Sequence, residues 1–183
     1  MKSIIGIGTV GFDGLRYFES NFSNVPRCAL LLSDKNFEEQ AKKLKAYSDI
    51  ISEDNLFKID KSNPILSIQL KDKLKELSKD KDVYILVGLA GSVSGNLSIN
   101  IVEIILKIAN NVVCLGVLPY KFEGFKKKES AAVNSALLKK LGIEVIEMDN
   151  QELLELANEK TTFTEASEIH FRKMVQLIGL KVS

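Results

Sequence analysis

The sequence predicts an α/β domain built on a doubly wound, mainly parallel, Rossmann-like sheet with helices on both faces. Three observations predict it. Short apolar runs alternate with amphipathic helical segments along the chain, the order that builds strand–helix–strand units. Two of these runs, Val83–Val87 (VYILV) and Val112–Leu118 (VVCLGVL), are apolar throughout, as strands covered on both faces must be. Several turns leaving the strands are rich in small residues and open into helical segments. In such sheets a ligand binds outside the carboxyl ends of the strands.

The elements follow in order. Ser3–Ile7 reads as a strand and Phe12–Phe22 as a helix. Arg27–Leu32 (RCALLL) is a second strand, ended by Ser33 and Asp34, and Phe37–Ala46 is helical by its charge and apolar spacing. Leu56–Ile59 is the weakest strand signal. Ile65–Ser78 carries Leu66, Leu70, Leu74 and Leu77 at helical spacing after Asn63-Pro64. After Val83–Val87, the loop GLAGSVSGN leads into a helix over Leu97–Ala109. After Val112–Leu118, the helix Phe125–Leu141 is closed by Gly142, a C-cap signal. Glu144–Met148 is the last strand, followed by helices over Gln151–Asn158 and Phe163–Ile178.

Composition narrows the function classes. A length of 183 residues fits one domain, residues 1–183. Hydrophobic residues make up 45% and charged residues 27%, and the net charge is +1. That balance gives no long-range attraction to nucleic acid or anionic lipid. The N-terminal apolar run is broken by glycines and lacks a cleavage-like site, and no run reaches the roughly 18 apolar residues of a membrane helix. A cytoplasmic protein is expected. Cys28 and Cys114 each lie within an apolar run and read as reduced, buried small hydrophobes. His170 is the one histidine, so no multi-histidine metal site can form. It is read as a packed or surface helix residue, and no structural metal is expected.

Three strand-end loops carry the chemistry. Gly6-Ile7-Gly8-Thr9-Val10-Gly11 is a G-x-G-x-x-G match that follows a strand and opens a helix. Glycines there let a backbone approach phosphates, and a helix N-terminus offers free N–H groups and a positive dipole end. The alternative is that Gly6 and Gly8 only permit tight strand–helix packing. Asp34 follows about 20 residues later, where a dinucleotide site grips a ribose. The second loop runs Gly88-Leu89-Ala90-Gly91-Ser92-Val93-Ser94-Gly95-Asn96. Its small and hydroxylated residues suit an anion; the alternative is a tight turn with Ser94 or Asn96 as the helix cap. It lacks the Gly-Lys-Ser/Thr ending of a P-loop. The third loop includes Glu123, a strand-end carboxylate able to accept both hydroxyls of a ribose, and Lys127, one helical turn on. Asn150 ends the last strand, where it either caps the next helix or reads a base edge.

Taken together, these segments resemble the GTPase domain of the FtsZ/tubulin family. The most specific match is PYKFEG with the lysines that follow, similar to the family's P-F-x-F-E-G-x-x-R. The resemblance assigns Glu123 to the ribose and places Lys127 near the phosphates. IIGIGTVG is similar to the first phosphate loop, with Gly8, Thr9, Val10 and Gly11. LLLSD, ending at Asp34, resembles the strand ending in N-T-D, and Asn63-Pro64 stands where a glycine-rich loop ends in N-P. GLAGSVSGN stands in the place of the signature G-G-G-T-G-T-G, assigning Gly91, Ser92, Val93, Ser94, Gly95 and Asn96 to the nucleotide. DNQELL, with Asn150, resembles P-N-D-x-L-L. The segment holding Phe163, Glu168 and Val175-Gln176 resembles the central helix, with Glu168 in place of the Asp that reads guanine. The order is collinear over nearly the whole chain.

The resemblance implies GTP or GDP as ligand, with Mg²⁺ arriving on its phosphates. The departures imply that binding is weak or lost. Thr9, Val10, Phe12 and Asp13 replace glycines and asparagines of the first loop, and Ala90, Ser92, Val93, Ser94 and Asn96 fall in the span of the second. Their Cβ atoms hold backbone away from phosphates. The sequence ends at Ser183, ahead of the family's acidic catalytic loop and second domain. No catalytic residue is therefore assigned, and no autonomous hydrolysis is expected. A partner of the same kind, a second copy or an FtsZ-type protein in division filaments, is implied. Two other readings stand beside this one: a nucleotide-free protein-interaction module with the same fold, and an NAD-type dinucleotide-binding domain using Gly6, Gly8, Gly11 and Asp34.

Overall fold

The computed structural model describes residues 1–18, 25–33, 53–156 and 161–180. Six strands form one sheet: β1 (Lys2–Ile7), β2 (Arg27–Ser33), β3 (Leu56–Asp60), β4 (Asp82–Gly88), β5 (Asn111–Leu118) and β6 (Glu144–Asp149). The helices among the described residues are α1 (Gly8–Phe18), α2 (Ile68–Ser78), α3 (Ser92–Ile105), α4 (Phe125–Lys140), α5 (Gln151–Leu156) and α6 (Phe163–Leu180). The strand order is β3-β2-β1-β4-β5-β6 and every pairing is parallel. The order reverses between β1 and β4, so the switch point of the sheet lies where α1 and α3 begin.

Alternation along each strand builds two cores. Ile5, Ile7, Val83, Ile85, Val87, Val112 and Cys114 face α2, α3 and α4, through Leu70, Leu74, Leu97, Ile101 and Leu138. Ile4, Tyr84, Leu86, Val113 and Leu115 face the other way, onto Phe12 and Leu15 of α1 and Phe171 of α6. The central strands are buried on both faces, which is why VYILV and VVCLGVL show no polar alternation. Ser67 caps α2, its hydroxyl accepting the Leu70 amide at 3.2 Å, so this helix begins three residues after Ile65. The expected helix Phe37–Ala46 and the site residue Asp34 lie outside the described residues.

Cys28 and Cys114 occupy one row across the sheet, with Ile5 and Ile85 between them. Three strand spacings, about 14 Å, separate them, twice the roughly 7 Å reach of a disulfide. Burial pushes both thiols up to about 12. They are inert packing residues.

His170 is packed into the interior of α6, 2% exposed. Neither ring nitrogen has a hydrogen-bond partner among the described residues. Burial holds its pKa below the ordinary value, helped by Lys173 and opposed by Glu152 and Asp149. The folded state thus disfavours the imidazolium, and the unfolded chain binds the proton more readily. Stability is full above the unfolded pKa of about 6.5 and is lost as pH falls below it. Thermal melts from pH 7.5 to 5 should show this decline in the wild type and a flatter profile in His170→Leu. Equal slopes in the two proteins would refute the assignment.

No helix of the described residues is long and apolar enough to cross a membrane.

Candidate functional site

The strand-to-helix turns at the switch point surround a cleft of about 440 Å³. Its first side is the β1–α1 turn. Gly8 has φ 69°, a left-handed conformation that favours glycine, and it turns the chain directly from strand into helix. Thr9 and Val10 follow along the cleft wall. Gly6 and Gly11 serve a different end. A Cβ on Gly11 would stand 2.4 Å from the Leu86 carbonyl oxygen, and one on Gly6 would stand 2.6 Å from the Gly11 oxygen. These two glycines let α1 lie directly on β1 and β4. Gly11 does not line the cleft and serves close packing of α1 on the sheet.

The β4–α3 turn forms the second side. Gly88, Ala90, Gly91, Ser92, Val93 and Ser94 line the cleft. The turn is fixed at three points. The Leu89 amide donates to the Val117 carbonyl at 2.9 Å. The Leu89 side chain lies over Gly116, where a Cβ would come within 2.4 Å of it. Buried Asn134 of α4 donates to the Leu89 carbonyl at 2.8 Å. Gly95 makes room for that amide, since a Cβ there would meet the Asn134 side chain at 2.0 Å. Gly95 is thus a helix-packing glycine away from the cleft, and Asn96 is exposed outside it. Helix α3 starts at Ser92, which carries Gly95 and Asn96 a full turn along the helix from the cleft edge.

Side chains that would obstruct a phosphate are fewer than the sequence implies. Phe12 is buried against the α1 core and Asp13 does not line the cleft. The Ser94 hydroxyl turns down to donate to the Gly88 carbonyl at 3.0 Å. Val10 packs near Gly88, and Val93 packs partly into the core beside the sheet.

The cleft is electropositive. Helices α1 and α3 both start at its edge, and neither has an acidic residue in its first turn. The residues before them, Ile7 and Gly91, carry no polar side chain, and α3 has no side-chain cap. The first amides of both helices are therefore open to an anion. Lys61 and Lys127 add positive charge to the lining, against one lining carboxylate, Glu123, among the described residues. That carboxylate is placed by its own turn: Oε1 accepts the Tyr120 amide at 2.8 Å. Gly124, with φ 93°, then starts α4 and puts Lys127 on the cleft side.

Asn150 lines the cleft too. The capping role belongs to its neighbour, since the Asp149 carboxylate accepts the Gln151 amide at 2.8 Å. Glu168 does not reach the cleft. It pairs with Arg172 one turn along the surface of α6, an exposed i,i+4 contact that contributes a few tenths of a kcal/mol. Its assignment to a base is not supported. Lys61 was not legible as a site residue because it follows the weakest strand; its position just past the carboxyl end of β3 was the available signal.

No family model matches the chain. Over 96 residues it is 31% identical to the cell division protein FtsZ of Aquifex aeolicus, covering 52% of this chain and 26% of that protein. Among solved structures, CetZ from Methanosaeta thermophila superposes with a TM-score of 0.71 at 14% identity, over 100% of this chain and 54% of that one. TubZ of Bacillus thuringiensis serovar israelensis, in GDP-form protofilaments, superposes with a TM-score of 0.65 at 14% identity, over 97% and 54%. The chain spans about half the length of these solved structures and matches about a quarter of the curated relative. Strand order, helix placement and these superpositions agree that the fold of this chain is that of the FtsZ/tubulin family.

Proposed function

We propose that the cleft binds a guanine nucleotide, GTP or GDP, weakly, in a cytoplasmic protein. The observation that supports this reading is the convergence of two helix N-termini, neither preceded by a polar side chain, on one cleft that also holds Lys127, Glu123 and Asn150. The donor set fits the ligand part by part. The opening amides of α1 and α3, with Lys127, suit phosphates. Glu123 keeps one carboxylate oxygen for ribose hydroxyls while the other takes the Tyr120 amide. Asn150 offers an amide to the edge of a base. Among the described residues Glu123 is the one carboxylate in the lining, and Mg²⁺ would be held by phosphate oxygens and water. The side chains of Val10, Ala90 and Val93 narrow the walls where glycines would leave backbone bare, which supports weak affinity. TubZ forms protofilaments, and this motivates a second copy or an FtsZ-type protein as partner, with modulation of division filaments as the role.

Calorimetry with GDP and GTP in Mg²⁺ buffer tests the ligand. A Kd of roughly 10 µM to 1 mM is expected, about −7 to −4 kcal/mol. Glu123→Ala should remove nucleotide-dependent thermal stabilisation and weaken binding about tenfold or more. A flat titration, with no nucleotide carried through purification, would overturn the reading. A second reading, a nucleotide-free interaction module, draws on the exposure of Phe122 and Phe125 beside Glu123, 73% and 78%. It predicts no nucleotide effect on melting in either protein.

A further inference from the structure

A second cavity, of about 430 Å³, shares the Leu118–Pro119 wall with the cleft and opens between α4 and β6. One side is a single face of α4. Lys128, Ala131, Ala132, Ser135, Ala136 and Lys139 line it, at the i, i+3, i+4, i+7, i+8 and i+11 positions of a helix. Glu147 and Asp149 of β6 line the opposite side, and Lys121 contributes from the β5–α4 turn. The floor is dry: Ala131 and Ser135 are 1% and 3% exposed. Ala132 and Ala136 are exposed nearer the mouth. Where leucines would fill the space between helix and sheet edge, alanines leave it open.

The charges around this space are unequally engaged. Glu147 accepts Lys139 Nζ at 2.6 Å and also the Ser135 hydroxyl. Those two hydrogen bonds, Lys139 first, hold its carboxyl below the usual range. Asp149 is taken up by the Gln151 amide. Both carboxylates therefore have partners. Lys121 and Lys128 have none among the described residues.

We propose that this cavity is a second ligand site, for a small organic anion whose compact apolar body rests on Ala131, Ala132 and Ala136 and whose carboxylate or phosphate is held by Lys121 and Lys128. Apolar burial and charge-assisted hydrogen bonds then act on the two ends of one molecule. The inference is independent of what the neighbouring cleft binds.

Benzoate and phenyl phosphate serve as probes, titrated into the 183-residue chain and followed by amide NMR. Saturable shifts are expected at Ala131, Ala136 and Glu147. Benzyl alcohol, which lacks the anion, and inorganic phosphate, which lacks the apolar body, should each bind at least about tenfold more weakly. A preference between the two probes identifies the anionic group. Lys121→Ala with Lys128→Ala should weaken binding about tenfold or more. Ala136→Leu, at an exposed position, should abolish binding with melting temperature unchanged. The proposal is overturned by any of three results: no shift up to roughly 20 mM probe, a level that still detects a few kcal/mol of affinity; saturation at Gly8 and Val93 in the cleft instead; or binding that is indifferent to Ala136→Leu.

Discussion

Replacing Gly11 with alanine is expected to destabilise the fold by about 3 kcal/mol, the upper end of overpacking penalties. The new Cβ would lie 2.4 Å from the Leu86 carbonyl oxygen and under 3 Å from the Gly6 backbone. All of these are main-chain atoms of paired central strands, so no side chain can rotate away. The gain in helix propensity of alanine over glycine, about 1 kcal/mol, offsets only part of the clash. For a domain of this size each kcal/mol moves the melting temperature by about 2–4 °C, so a fall of about 6–12 °C should appear in a thermal scan. Gly142→Ala is the control. It has open space around it and only an unfavourable φ of 86°, which costs about 1–2 kcal/mol. Gly6→Ala should resemble Gly11→Ala, and the double variant should be less than additive because the two glycines touch each other. A Gly11→Ala protein that melts with the wild type would show that α1 does not sit directly on the sheet.

Ser92→Asp is expected to weaken nucleotide binding by about 100-fold while leaving the fold intact or slightly stabilised. Ser92 is exposed and opens α3 at the cleft. A carboxylate in the first turn of a helix stabilises it by about 0.3–1 kcal/mol. The same charge enters the space proposed for phosphates. At about 6 Å and an effective dielectric near 20, one pair of like charges costs about 2.8 kcal/mol, which is about two decades in Kd. Binding and stability thus move in opposite directions, which separates a lost contact from a lost fold. Ser92→Asn keeps the size without the charge and should bind nearly as the wild type does. Calorimetry with GDP, paired with thermal melts, reads both quantities. Unchanged affinity in Ser92→Asp would place the phosphates away from α3.

The sheet was legible because its strands announce themselves: VYILV and VVCLGVL have no polar alternation to mislead. β3 was the weakest signal because Lys58 interrupts a strand of five residues at the edge of the sheet. The site was legible in its loops and less so in its individual residues. Runs of glycine and serine read as loop, and the helices were placed from Phe12 and Leu97. In the structure they begin at Gly8 and Ser92. Only Gly8 of the first run adopts a conformation that favours glycine, while Gly11 and Gly95 serve close contacts inside helices. Each successive helical residue turns by about 100° and climbs about 1.5 Å away from the strand tip. That rotation removes Gly11, Gly95 and Asn96 from the cleft. Glu168 lies on the helix that sequence order gave it, and its side chain runs along the surface to Arg172.

The three-point attachment of Leu89 bears on binding kinetics. With its amide, carbonyl and side chain all satisfied within the folded chain, Leu89 leaves the turn below the cleft little ordering entropy to lose when a guest arrives. Association there needs no prior closure of this segment, so its rate is set by diffusion and by the field of the two helix ends. Weak affinity in such a pocket appears as fast departure, with occupancy that tracks the surrounding concentration from moment to moment.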